Sequence, residues 1–232
     1  MCVGFADAHT PKYHLKSTLP AVQSGDMSRK SPFLLLLLNL LVLLLVAAFA
    51  PLEKSLGSSV RVVYLHGVWV WASLAAFMAA GVAGLLGLAS RREWLQRWSL
   101  ALGRSGLVFW VTYLPISMWA MQTNWNGLFL AEPRWRLALI FSVSGMLLQL
   151  GLILVDRPSW ASAGNLAFIL VLMIALRLTD NVMHPPSPIL DSDAWRIQLY
   201  FTVMLALTML AAFQVARWLY HVDGSSPRRA DN

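Results

Sequence analysis

The sequence predicts an all-α integral membrane protein of six transmembrane helices, with both termini on the cytoplasmic side. Three observations predict it. Hydrophobic residues make up 58% of the 232-residue chain and charged residues only 12%, against about a quarter charged in a soluble domain. Apolar runs near the ~20 residues that cross a bilayer recur along nearly the whole length. Lysine and arginine are richer in alternate connections, the asymmetry that orients membrane proteins.

The expected spans are Phe33–Ala50, Val62–Ala89, Trp98–Met121, Trp135–Val155, Trp160–Thr179 and Ile197–Leu219. A backbone in lipid has to satisfy its own hydrogen bonds, so each is read as a helix. The first run follows Arg29-Lys30 and ends in Ala48-Phe49-Ala50, which imitates a signal peptide. Pro51 after that small-residue site disfavours cleavage, so the helix is expected to be retained. The second run is long enough to tilt or to project into both interfaces. Its Ala79-Ala80-Gly81-Val82-Ala83-Gly84 stretch permits close helix packing. The third contains Pro115, which removes a backbone donor and predicts a kink. Asn39, Gln149 and Asn165 lie within spans, where interhelical hydrogen bonds explain them. The eleven tryptophans gather near predicted helix ends, as interfacial anchors do.

One membrane domain, residues 33–220, is therefore expected between a polar cytoplasmic tail over 1–32, predicted disordered, and a second tail over 221–232. Met27 reads as a second plausible start. One side of the membrane collects Lys12, Lys16, Arg29, Lys30, Arg91, Arg92, Arg97, Arg157, Arg217, Arg228 and Arg229. The other has Lys54, Arg61, Arg134, Arg136 and Arg196. The richer side is expected to be cytoplasmic, which makes Pro51–Arg61, Gln122–Arg134 and Asp180–Arg196 the outer loops. The formal charge of +7 then reflects topology and contact with anionic lipid. It leaves no folded basic face for a nucleic acid. The single cysteine, Cys2, excludes an internal disulfide, a Cys-x-x-Cys redox pair and covalent haem attachment through Cys-x-x-Cys-His.

Two histidines fall on the predicted outer side. His66 is near the outer end of the second span, and His184 follows the fifth in Met183-His184-Pro185-Pro186. Neutral imidazoles are metal ligands, and two of them can hold a haem iron from both faces. Each has a bland reading as well. His66 can simply sit among headgroups, and His184 can be incidental to a proline-stiffened loop. Between them, the Gln122–Arg136 segment mixes Trp125, Phe129 and Trp135 with Glu132, Arg134 and Arg136. Aromatic rings can stack on a flat macrocycle, and arginines can pair with carboxylates through forked hydrogen bonds. The bland reading is a loop anchored in headgroups. Arg177, three residues before Asp180, suits a helical surface pair or contact with an anionic ligand group. Together these residues make a coherent object: a bis-histidine iron site with a carboxylate-binding rim.

At these residues the chain resembles the cytochrome c assembly family of haem-handling membrane proteins, nearest to the CcmC type. Tyr64-Leu65-His66-Gly67-Val68-Trp69-Val70-Trp71-Ala72-Ser73-Leu74 is similar to that family's Tyr-Ile-His-Val-Pro-x-x-Trp-x-Ser-Leu stretch. Met183-His184 is similar to its second Leu-His. Trp119, Trp125, Glu132 and Arg134 are similar to its tryptophan-rich "WWD" loop. The likeness covers about residues 33–220. Asn126 and Phe129 stand where that loop has further tryptophans, Glu132 replaces an aspartate, and the proline after the first histidine is missing.

The resemblance implies a non-covalent b-type haem at the outer face of the inner or plasma membrane. His66 and His184 would be its iron ligands. Trp125 and Phe129 would lie against the macrocycle, with Trp119 and Glu132 also among the cofactor-binding residues. Arg134, Arg136 and Arg177 would meet the propionates. It implies presentation of haem to a haem chaperone or an apocytochrome c during cytochrome c maturation, without classical catalysis. The degenerate loop leaves an alternative of a different class, a structural or assembly subunit acting with other membrane subunits and without haem.

Overall fold

The computed structural model describes residues 32–180, Ile189 and residues 193–225. Among them six helices follow one another: α1 (Pro32–Ala48), α2 (Val60–Ser90), α3 (Glu93–Trp125), α4 (Pro133–Val155), α5 (Pro158–Leu178) and α6 (Trp195–Ser225). Among the described residues there is no strand; one isolated bridge pairs Glu53 with Gly57. Of the tails expected over 1–32 and 221–232, residues 1–31 and 226–232 lie outside the described residues, as do the side chains of 223–225; Pro32 and residues 221–225 belong to α1 and α6.

Helix ends follow local chemistry. Pro133 and Pro158 open α4 and α5, where a missing N–H costs nothing and a fixed φ suits the first turn. Arg91, Asn126 and Asp156 take the left-handed conformation that closes α2, α3 and α4. α3 continues through Pro115, so the proline does not divide the span.

Four helices, α2, α4, α5 and α6, are long and apolar enough to cross a membrane. The sequence predicts six. α1 is apolar but runs only 17 residues, ending before Phe49-Ala50. α3 has 33 residues but more polar ones than the other long helices. The physical reason lies in its position. α3 packs against α2, α4, α5 and α6, and its Gln96, Ser99, Ser105 and Ser117 are buried among them. The apolar surface instead turns outward, with Leu147 at 64% and Leu154 at 79% exposed. Polar inside and apolar outside is the distribution expected where the surroundings are hydrocarbon.

α2 and α3 form the centre. α4 and α5 lie on one side of this pair, and α6 with α1 on the other. The interior is tied by a polar ladder. Gln149 Nε2 donates to Asn165 Oδ1 at 2.9 Å, Asn165 Nδ2 to the Ser99 carbonyl at 2.8 Å, and Ser99 Oγ to the Ala80 carbonyl at 2.8 Å. It crosses from α4 through α5 and α3 to α2. Glycine makes room for it: a Cβ on Gly103 would meet Asn165 Oδ1 at 2.6 Å, and one on Gly84 would meet the Ser162 carbonyl at 2.8 Å. Across the bundle, Asn39 Nδ2 donates to the Leu207 carbonyl at 3.0 Å and to Gln214 Oε1 at 3.2 Å, holding α1 on α6.

The α1–α2 connection is ordered by one carboxylate. Glu53 accepts from the Ser55 and Leu56 amides at 2.8 and 2.9 Å and from the Ser55 hydroxyl. Gly57, at φ 57°, lets the turn close. The Tyr64 hydroxyl donates to the Pro51 carbonyl at 3.2 Å, fastening the loop to α2.

Two outcomes are expected. Gly103→Ala should lower stability by about 1–3 kcal/mol through overpacking. Gly151→Ala, with nothing within 4 Å of the added atom, should be neutral or gain up to about 1 kcal/mol from helix propensity. Chemical unfolding in detergent separates them, and equal effects would refute the tight seat at Gly103. The Ser55 hydroxyl and the Leu56 amide hold the Glu53 carboxyl below its ordinary pKa of 4.5. A lowered folded-state pKa gives stabilisation that is present above 4.5 and is lost as pH falls through the lowered value. A carboxyl-carbon NMR titration should place Glu53 below 4.5, and Ser55→Ala should move it upward. A midpoint at or above 4.5 in the unaltered protein would show that these bonds do not form.

Candidate functional site

His66 lies in the second turn of α2 and is half-buried. Its ring meets that of Tyr113 on α3, centroids 5.4 Å apart and planes tilted by 52°. Tyr113 is only 6% exposed. It leans on Trp110 at 5.4 Å, whose indole N–H donates to the Ala138 carbonyl of α4 at 3.0 Å. The imidazole therefore rests on a wall continuous from α3 to α4. Three residues on, Trp69 Nε1 donates to Thr112 Oγ1 at 3.1 Å, and its ring meets Phe109 at 5.5 Å. On another side of α2, a Cβ on Gly67 would meet the Phe201 ring at 3.0 Å. α2 is thus held against both α3 and α6 at the level of His66.

The α3–α4 connection reaches the same end of the bundle. Glu132 caps α4, accepting from the Trp135 amide at 2.6 Å. Its carboxylate thus has a structural task in holding the first turn of α4. Arg134 is half-buried, and its Nη2 points at the last carbonyls of α5, 3.4 Å from Leu176 and 3.5 Å from Thr179. A guanidinium there complements the negative end of a helix dipole. Arg136 is exposed, with Nε 3.3 Å from the Leu130 carbonyl. It lines an open cleft of about 410 Å³ between α4 and α5, with Leu137, Ile140, Phe141, Ala175 and Thr179.

Three buried polar atoms near this end have no hydrogen-bond partner: Arg134 Nε, Trp135 Nε1 and Asn124 Oδ1. Two are donors and one an acceptor. Buried polar groups are nearly always satisfied, so three orphans in one region suit a polar ligand group.

The other predicted residues stand further out. Trp119, Trp125 and Phe129 are 54%, 37% and 42% exposed, and Arg177 is exposed in the last turn of α5. His184 lies outside the described residues. Among the described residues no three His, Cys, Asp or Glu side chains gather to hold a metal ion. Tyr113, Trp135 and Asn124 belong to the site more closely than the sequence indicates. Their only signal is polarity close to a helix end, which many interfacial residues share. No family model, curated protein or solved structure matches the chain.

Removing the cap tests the part given to Glu132. Glu132→Ala should cost about 1 kcal/mol by loss of the N-cap bond, with Glu132→Asp retaining most of it, in chemical unfolding of the detergent-solubilised protein. Equal stability of all three proteins would remove the capping role.

Proposed function

We propose that the chain is a multi-pass inner- or plasma-membrane protein with the His66 end outward and both termini cytoplasmic. We further propose that it binds b-type haem non-covalently there and presents it for cytochrome c maturation, to a haem chaperone or an apocytochrome c. The orphaned Arg134 Nε and Trp135 Nε1, at the end of the bundle that also holds a half-buried histidine, carry this reading. A haem has a face that needs an axial nitrogen and an edge that bears carboxylates. His66 supplies a nitrogen of the right class, and buried donors without acceptors suit the carboxylate edge.

The residues present fit such a group. His66 and His184 would hold the iron, Trp125 and Phe129 the macrocycle, and Arg134, Arg136 and Arg177 the propionates. Trp119 and Glu132 remain on the rim. Haem bound here would supply iron redox chemistry and the group to be delivered. The protein's own part is positional. Tyr113 backs the imidazole, Trp69 and Tyr64 keep the start of α2 from shifting, and Arg134 offers charge where the carboxylates would lie. Exposed Trp119, Trp125 and Phe129 suit a face from which a ligand is handed on.

The test is an absorption spectrum of detergent-purified protein, oxidised and reduced, after expression with haem supplied. A low-spin b-type spectrum is expected, weakened or shifted in both His66→Ala and His184→Ala. Arg134→Gln should retain the spectrum but lose haem faster to an apo-acceptor. A colourless unaltered protein would sink the haem reading and leave the structural-subunit alternative.

A further inference from the structure

α4 stands at the edge of the bundle. Among the described residues it packs on α3 and α5 alone. Its seam with α5 is tight at the end away from His66, where a Cβ on Gly164 would meet Leu148 at 3.2 Å and Leu152 at 3.5 Å. Toward the His66 end the seam parts. The contacts of Arg134 Nη2 that cross it there are long, 3.4 and 3.5 Å, and the open cleft of about 410 Å³ lies between the two helices.

The cleft is graded along the helix axes. Leu137, Ile140, Phe141 and Ala175 give it apolar walls, while Arg136 and Thr179 stand nearest the connection into α4. Five residues separate Arg136 from Phe141, about 7.5 Å along the axis. Arg136 is exposed, and its Nε lies 3.3 Å from the Leu130 carbonyl, which keeps the side chain beside the mouth. The Thr179 hydroxyl donates back to the Ala175 carbonyl at 2.7 Å. Ile140 is 60% exposed, so the walls open sideways, away from the bundle.

Both helices are long and apolar enough to cross a membrane. On the membrane reading the cleft therefore faces hydrocarbon, with its cationic end at headgroup level. Apolar walls offer water no partners at depth, and fluid acyl chains lie against the opening. The occupant that matches is an amphiphile with an apolar tail and a negative head, since the charged residue of the lining is Arg136.

We propose that the α4–α5 cleft binds an anionic phospholipid, with one acyl chain between Ile140, Phe141 and Ala175 and the headgroup phosphate on Arg136. A guanidinium meets phosphate oxygens through forked, charge-assisted bonds. A zwitterionic headgroup carries a cation of its own to the same place and matches Arg136 less well. The site rests on the membrane reading and not on the haem reading, although Arg136 is common to both. The two fail separately: a colourless protein that still selects the lipid loses only the haem reading, and a haem-bound one that does not select it loses only the lipid site.

The test measures the thermal unfolding midpoint of the detergent-purified chain with added phosphatidylglycerol, phosphatidylcholine or inorganic phosphate. Phosphatidylglycerol in roughly hundredfold excess over its dissociation constant should raise the midpoint by about 5 °C. The other two should leave it unchanged. The increment should disappear in Arg136→Gln, which removes the headgroup contact, and in Ala175→Leu, which fills the cleft but keeps the charge. It should persist in Arg157→Gln at the other end of the bundle. Equal shifts with both lipids, a shift from inorganic phosphate alone, or an undiminished shift in Ala175→Leu would overturn the cleft site. Should either variant not fold, native mass spectrometry of the unaltered protein from a mixture of both lipids decides: no preference for phosphatidylglycerol refutes the proposal. A chain that stays monodisperse without any detergent would instead refute the membrane reading.

Discussion

The Asn165 side chain ties the middle of the bundle together. It accepts from Gln149 on α4 and donates to the backbone of Ser99 on α3, whose hydroxyl reaches α2. Where the outside of a bundle is as apolar as lipid, burial of leucine gives little reason for helices to associate. Close packing and hydrogen bonds between helices take over that role. Gly103 and Gly84 are part of the same device, because their missing side chains are the space that Asn165, Ser99 and Ser162 fill. The abundance of fully buried serines, Ser73, Ser99, Ser105, Ser142 and Ser162, follows from the same constraint. A small hydroxylated residue permits close approach, and Ser73, Ser99, Ser105 and Ser142 each bond to a carbonyl as well.

A rigid α2–α3–α5 core has a consequence for the far end of α2. His66 can rest on Tyr113 only because the two central helices are locked in rotation, by Ser99–Ala80 below and Trp69–Thr112 above. A rotation of α3 by one residue, about 100°, would carry Tyr113 out of the core and remove the wall behind the imidazole. The proposed site therefore inherits its geometry from hydrogen bonds that never touch it.

Much of this was legible beforehand. The spans expected at 62–89, 135–155, 160–179 and 197–219 each fall inside or within a residue of α2, α4, α5 and α6, because apolar length is a local signal. Asn39, Gln149 and Asn165 were read as interhelical hydrogen-bonding groups, and they are. α3 was the harder helix. Composition treats Ser99, Ser105 and Gln122 as equally polar, whereas their places on α3 bury the first two against neighbours and leave the third exposed. Rotation depends on which helices surround α3, and one sequence does not state that. The same ignorance hid Tyr113, whose place beneath His66 joins residues 47 positions apart. It also hid the bond by which Glu132 caps α4.

Arg134 is the residue on which the helix-end and ligand readings meet. Its two bonds to the end of α5, at 3.4 and 3.5 Å, are well beyond the 2.9–3.0 Å typical of N–H···O contacts. Its Nε makes none. A guanidinium has five N–H donors, so weak engagement of one nitrogen leaves most of its capacity unspent in a half-buried setting. A carboxylate would form shorter, charge-assisted bonds than these carbonyls do. The loss of two long contacts to α5 would be small against that gain. The arrangement is therefore biased toward an anionic group at this end of the bundle, whether or not that group belongs to a haem.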